Sequence, residues 1–138
     1  MTPLTVPATI DSLRPISDYV LRAAGLAGLD ARRTYRLRLA VDEIATNIVA
    51  HGVAGEVIAV DVEVGDDVLT VSLEDDGAPF DPRTVPRPDH LDAPLDERPI
   101  GGLGIYLATR SVDGFTYERI GDRNRNVFTM QRVASTSA

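Results

Sequence analysis

The stretch "LRLAVDEIATNIVAHG", Leu37 to Gly52, decides how the rest of the chain is read. Leu37, Val41, Ile44 and Ile48 recur at spacings of three and four, the apolar stripe of a core-facing helix. Glu43 and Asn47 stand one turn apart at the edge of that stripe, and side chains at i and i+4 point the same way. A carboxylate and a carboxamide at that place either form a solvated helix edge or face something that needs both. For an isolated pair the solvated edge is the plainer reading.

Working outward, Asp30 is placed to cap this helix and Gly52 to stop it. Before it, Leu4 to Val6 reads as a short strand closed by Pro7. Asp11 or Ser12 can cap a helix that runs to about Ala24, with Gly25 near its end. After it, "VIAVDVEV" alternates Ile58, Val60, Val62 and Val64 with smaller or acidic residues, a half-buried strand. Gly65-Asp66-Asp67 turns the chain into "VLTVSLED", whose inward face carries Leu69, Val71 and Leu73. The pattern then vanishes from Asp81 to Ile100, a segment with five prolines and five acidic residues. A patternless connection of that length inside a compact domain is usually functional or disordered. "GGLGIYLATRSVDG" restores order as a glycine-opened helix ending near Asp113-Gly114. "FTYERI" and "NVFTMQRV" follow as a hairpin around Gly121–Asn124, and residues 133–138 read as a frayed tail.

With 138 residues and 43% hydrophobic content, the chain suits one domain, 1–138, with a real core. No run approaches the roughly 20 apolar residues of a membrane span. "MTPLTVPATI" has no basic region followed by an apolar stretch, so no secretory signal is expected. The absence of cysteine excludes disulfides, thiolate metal sites and cysteine nucleophiles, and agrees with a cytoplasmic location. A net charge of −7 without a basic patch argues against direct nucleic-acid binding. All fourteen cations are arginine, which removes the phosphate loop ending in Lys-Ser/Thr and the catalytic lysine of eukaryotic-type kinases.

Three further signals bear on chemistry. In "SLEDDGAPFDP", two-residue alternation puts Asp75 on the face of Leu69, Val71 and Leu73. The plainer reading ends the strand at Leu73 and makes Asp75 a turn aspartate before Gly77. The alternative makes it an acceptor for a ligand amine inside a pocket, because a buried carboxylate needs donors. In "GGLG", Gly101 to Gly104, glycines at a helix start let backbone N–H groups approach an anion, although a hinge after a long loop has the same composition. A carboxamide such as Asn47 can ligate Mg²⁺, and a glutamate one turn away can take a proton from an attacking hydroxyl. His51 reads as a helix-end residue and His90 as a loop residue without a partner.

The order of these signals is more specific than any one of them. A helix with E-x-x-x-N, a strand ending in D-x-G, a long loop and a G-x-G-opened helix resemble the Bergerat ATP-binding fold. The resemblance spans about Leu4 to Arg132. "AVDEIATNIVAHG", "EDDGAPFDP" and "IGGLGIYLATRSVDGFTYE" look most like the bacterial anti-sigma serine kinases. The resemblance implies a two-layer α/β sandwich with a mostly antiparallel mixed sheet covered on one face by helices. It implies ATP and Mg²⁺ as cofactors, Glu43 as general base and Asn47 as Mg²⁺ ligand. It makes Asp75, beside Gly77, the acceptor of the adenine amino group, and Gly102 and Gly104, with Leu103 between them, the phosphate side. Thr129 in "NVFTM" would help hold the adenine, often through water, and Asp81 to Ile100 would be the ATP lid.

The implied activity is phosphorylation of a serine or threonine on a small anti-sigma-factor antagonist, by a homodimer that also silences an RNA polymerase sigma factor in a stress response. A non-catalytic ATP switch and a simple ATPase need the same site and remain alternatives. There are departures. Pro79 stands where the family's D-x-G-x-G box has its second glycine. The lid has no lysine for the γ-phosphate, leaving Arg83, Arg87 and Arg98 as candidates. No upstream helix carries a phosphoacceptor histidine, which argues against a complete histidine kinase.

Overall fold

The computed structural model of the chain describes residues 1–51, 55–84 and 102–132. The helix stop at Gly52, most of the expected lid (with Arg87, His90 and Arg98) and the tail 133–138 lie outside the described residues.

The first strand forms as β1 (Leu4–Pro7), and α1 (Leu13–Ala27) follows a single 3-10 turn at Ile10–Ser12. Neither Asp11 nor Ser12 supplies the expected side-chain cap. The 3-10 turn leads straight into the helix, so Ser12 already has helical angles, φ −84° and ψ −14°, where a capping side chain needs an extended backbone. The helix also runs past Gly25. Gly28, at φ +71°, ends it in the left-handed conformation, and the Leu29 N–H closes back on the Ala24 carbonyl at 3.0 Å. Asp30 does cap α2 (Ala31–His51): its Oδ1 accepts the Arg33 backbone N–H at 2.8 Å. The stripe read from the opening stretch faces inward, with Leu37, Val41 and Ile44 sealed from solvent.

The sheet contains β2 (Val57–Val64), β3 (Val68–Asp75), β4 (Gly114–Ile120) and β5 (Arg123–Gln131), in the order β1-β2-β3-β5-β4. The two-layer sandwich is as expected, but all four pairings are antiparallel, so the mixed component is absent among the described residues. The reason is topological. β3 and β4, joined through α3 (Gly102–Ser111), run the same way, and β5 inserts between them. The helices lie on one face, with α2 between α1 and α3. Beneath them Ile58, Val60, Leu69, Val71, Leu73 and Phe128 form the sheet side of the core, and Phe115 packs edge-on against Phe128 with ring centroids 5.1 Å apart. Thr5, Asp61, Glu63 and Thr116 line the other, exposed face.

Asp76 ties the start of β2 to the end of β3. Its Oδ1 accepts the N–H groups of Glu56 at 2.8 Å and Val57 at 3.1 Å. These backbone bonds, that of Val57 foremost, hold its carboxyl below the usual carboxylate range. A lowered folded value stabilises the chain while the carboxylate is ionised; that stability is complete above the unfolded value and is lost as pH falls through the folded one. Acid unfolding followed by circular dichroism should therefore show stability declining below about pH 4. Asp76→Ala should flatten part of that decline, and an unaltered acid slope would count against this role.

Candidate functional site

The second half of α2, the end of β3 and the inner face of β5 converge on a cavity of about 210 Å³, lined by Ile44, Asn47, Asp75, Phe80, Asn124 and Asn126. Period-two geometry delivers the strand residues: Asp75 shares the face of Leu69, Val71 and Leu73, while Asn124 and Asn126 share the face of Phe128 and Met130. β3 does not stop at Leu73. It continues to Asp75, which pairs with Ile58 on one side and Asn124 on the other.

Asp75 is 5% exposed. Its Oδ2 accepts the Gly77 N–H at 3.0 Å and the Asn124 Nδ2–H at 3.2 Å, while its Oδ1 has no donor among the described residues. Half of a buried carboxylate is thus satisfied and half is left to the cavity. Asn126 is 2% exposed. Its Nδ2 reaches the Leu73 carbonyl at 3.5 Å, and its Oδ1 has no partner among the described residues. Among these, Asp75 Oδ1 is the acceptor left for a ligand, and the cavity suits a planar molecule that presents a donor, while Asn126 Oδ1 is sealed from solvent.

Asn47 lines this cavity, and Glu43, one turn earlier on α2, lies against the first turn of α3. Gly104 is what permits the approach: a Cβ there would overlap the Glu43 carboxylate. Gly102 and Leu103 fall in the same first turn, where backbone N–H groups have no partner within the helix. The groups thus form a row, from Asp75 at the cavity floor, past Asn47, to Glu43 at the opening of α3. Gly104→Ala should leave the fold intact, because the obstructing atoms are the far end of a flexible side chain. It should displace Glu43 and lower any chemistry that depends on it by about tenfold or more, the cost of a small misplacement of a reacting group. Thermal melting and turnover measured together would test this; a variant as active as the parent would detach Glu43 from Gly104.

One expected residue is not brought to the site. Thr129 alternates out of phase with Asn124, Asn126 and Phe128, so it lies on the opposite face of the sheet, where its Oγ1 packs against the α-carbon of Gly114. Asn124 and Asn126 line the cavity instead. The signal was available: Phe128 and Met130 mark the inward parity of β5, and the asparagines share it. Asn124 was missed because the strand begins at Arg123, three residues before the expected start. Among the candidate lid cations, Arg83 is engaged by Asp81, with Nη2 to Oδ2 at 2.8 Å and Nε to Oδ1 at 3.0 Å, and it borders a different cavity beside Thr109 and Arg110. Among the described residues no three His, Asp or Glu side chains gather as a metal cluster, and no helix is long and apolar enough to cross a membrane.

Residues 6–132 match the histidine kinase-like ATPase domain, and the chain belongs to that family. It is 32% identical over 96 residues to serine-protein kinase RsbW of Listeria innocua, covering 65% of this chain and 61% of the relative. It is 30% identical over 82 residues to serine-protein kinase RsbW of Bacillus cereus, covering 56% of this chain and 51% of the relative. The matched region thus spans about half to three fifths of these relatives. The fold is shared with a crystal structure of the RsbU and RsbW domains of Rv1364c from Mycobacterium tuberculosis, with a TM-score of 0.63 at 20% identity over 97% of this chain and 34% of that one. It is shared also with Acinetobacter baumannii histidine kinase AdeS, with a TM-score of 0.52 at 12% identity over 97% of this chain and 69% of that one.

Proposed function

We propose that the chain is an ATP-dependent serine/threonine protein kinase that acts as an anti-sigma factor and phosphorylates a small anti-sigma-factor antagonist. The observation that supports this reading is that Asp75 and Asn47 line one cavity while Glu43, one turn before Asn47, rests against Gly104, an arrangement that suits an amine acceptor, a hard oxygen donor and a base. ATP would supply the phosphoryl group to be transferred, with Mg²⁺ bound to it. Asp75 Oδ1 accepts the adenine amino group. Asn47 would offer Mg²⁺ its carboxamide oxygen, a hard ligand of the kind that ion prefers. Glu43 takes the proton of the attacking hydroxyl. The first turn of α3, with Gly102, Leu103 and Gly104, faces the phosphates with its N–H groups. The names of the RsbW relatives support a serine substrate. The sigma-factor partner and the homodimer rest on the family resemblance of the three motifs.

The test is to incubate the protein with labelled Mg·ATP and the small proteins encoded beside it. Label on a serine or threonine of one of them is the expected result. Release of label only as free phosphate would make the chain a simple ATPase. Unconsumed ATP together with nucleotide-dependent partner binding would make it a non-catalytic switch.

A further inference from the structure

Resting on the reading that Asp75 takes the amino group of the base, the geometry points to Asn124, backed by Tyr117, as the positioning residue that makes the site selective for 6-aminopurine nucleotides. One carboxamide makes five hydrogen bonds here, the longest from its Nδ2 to the Gly77 carbonyl at 3.4 Å. Its Oδ1 accepts the Phe80 N–H at 3.2 Å and the Tyr117 hydroxyl at 2.5 Å. Its Nδ2 donates to Asp75 Oδ2 at 3.2 Å and to the Ala78 carbonyl at 2.9 Å. Two donors on the oxygen side fix which way the amide faces, so its nitrogen must point at Asp75 and Ala78. With the Gly77 N–H on the same carboxylate oxygen, Asp75 has one orientation, and that orientation turns Oδ1 to the cavity. Asn124 is 3% exposed, so water does not compete for these bonds.

The same contacts hold the loop after β3. Asn124 grips it at Ala78 and Phe80, and Arg119 Nη1 donates to the Gly77 carbonyl at 2.8 Å. Tyr117, Arg119 and Asn124 all belong to the β4–β5 hairpin, so a distant hairpin fixes the turn in which Pro79 replaces a glycine. Asn124 acts through Asp75, and its effect should appear in the part of affinity that depends on the amino group.

The experiment compares ATP with purine riboside triphosphate, which lacks the 6-amino group, by calorimetry on the full chain. The unaltered protein should prefer ATP by about tenfold or more. Asn124→Ala should bring that ratio close to one by weakening ATP more than it weakens the purine analogue. Tyr117→Phe, which keeps the ring and the amide, should reduce the ratio by about two- to fivefold, and it serves where Asn124→Ala does not fold by thermal melting. Equal weakening of both nucleotides, or a ratio that survives either change in a folded variant, would overturn the positioning role alone. A parent protein without preference for ATP would overturn the Asp75 reading, and this inference with it.

Discussion

Replacing Glu43 with alanine should lower phosphoryl transfer by about two to four orders of magnitude, the range that a positioned acid or base contributes, and should leave ADP affinity within a few fold. The split follows from where the side chain stands. Glu43 is on α2 but outside the lining of the base cavity, and its carboxylate rests on Gly104 at the start of α3. Its loss removes nothing that touches the base. It opens space beside the helix terminus where phosphates would lie, and removal of a carboxylate there lessens repulsion rather than attraction. Single-turnover assays with labelled ATP and an acceptor protein give the rate, and calorimetry with ADP gives the affinity. Undiminished transfer by Glu43→Ala would exclude it as the base.

The second large effect is expected from Asp75→Asn. The substitution is nearly isosteric, and the surroundings dictate how the new amide faces. Two donors, the Gly77 N–H and the Asn124 Nδ2–H, converge on the Oδ2 position, so the amide oxygen settles there and the NH₂ group turns to the cavity. An acceptor facing the base becomes a donor. Against the adenine amino group, donor meets donor, and affinity should fall by about tenfold to a few hundredfold, from about 1–3 kcal/mol for the unpaired group and the lost charge-assisted bond. Inosine triphosphate, with a carbonyl at the same position, should bind the variant better than ATP does, reversing the parent's order. Calorimetry with both nucleotides decides it, and unchanged order in a folded variant would remove Asp75 from base recognition.

How much of this was legible in the sequence depends on period and on parity. The α2 stripe, the alternation in β2 and β3 and the polar pair at the helix edge could be read directly, because burial on one face leaves a repeat of 3.6 or 2 in the residues themselves. The spacing of E-x-x-x-N, D-x-G and G-x-G then tied the elements to a known fold. The β5 start was not legible, since Arg123-Asn124-Arg125-Asn126 is polar throughout and resembles a turn. It is a strand because Asp75 and the loop after it provide partners for the inward Asn124, an arrangement that exists only once β3 and β5 are paired. The assignment of Thr129, which rested on the family resemblance, failed because the parity of β5 puts that residue on the opposite face of the sheet. The end of α1 moved from Gly25 to Gly28 because Gly25 sits within a helical turn without cost to packing, and only Gly28 adopts the left-handed angle that a stop requires.

The contact between Glu43 and Gly104 makes two structural variables into one. Residues 85–101 join directly to the helix whose first turn forms the resting surface of the carboxylate, so the covalent path from that segment to the base is only a few residues long. Any side chain at position 104 would have to displace the Glu43 carboxylate, so the two positions are sterically coupled. If Glu43 is the base proposed above, its orientation follows the position of the α3 terminus, and the chemistry then depends on a helix end that lies outside the cavity lining.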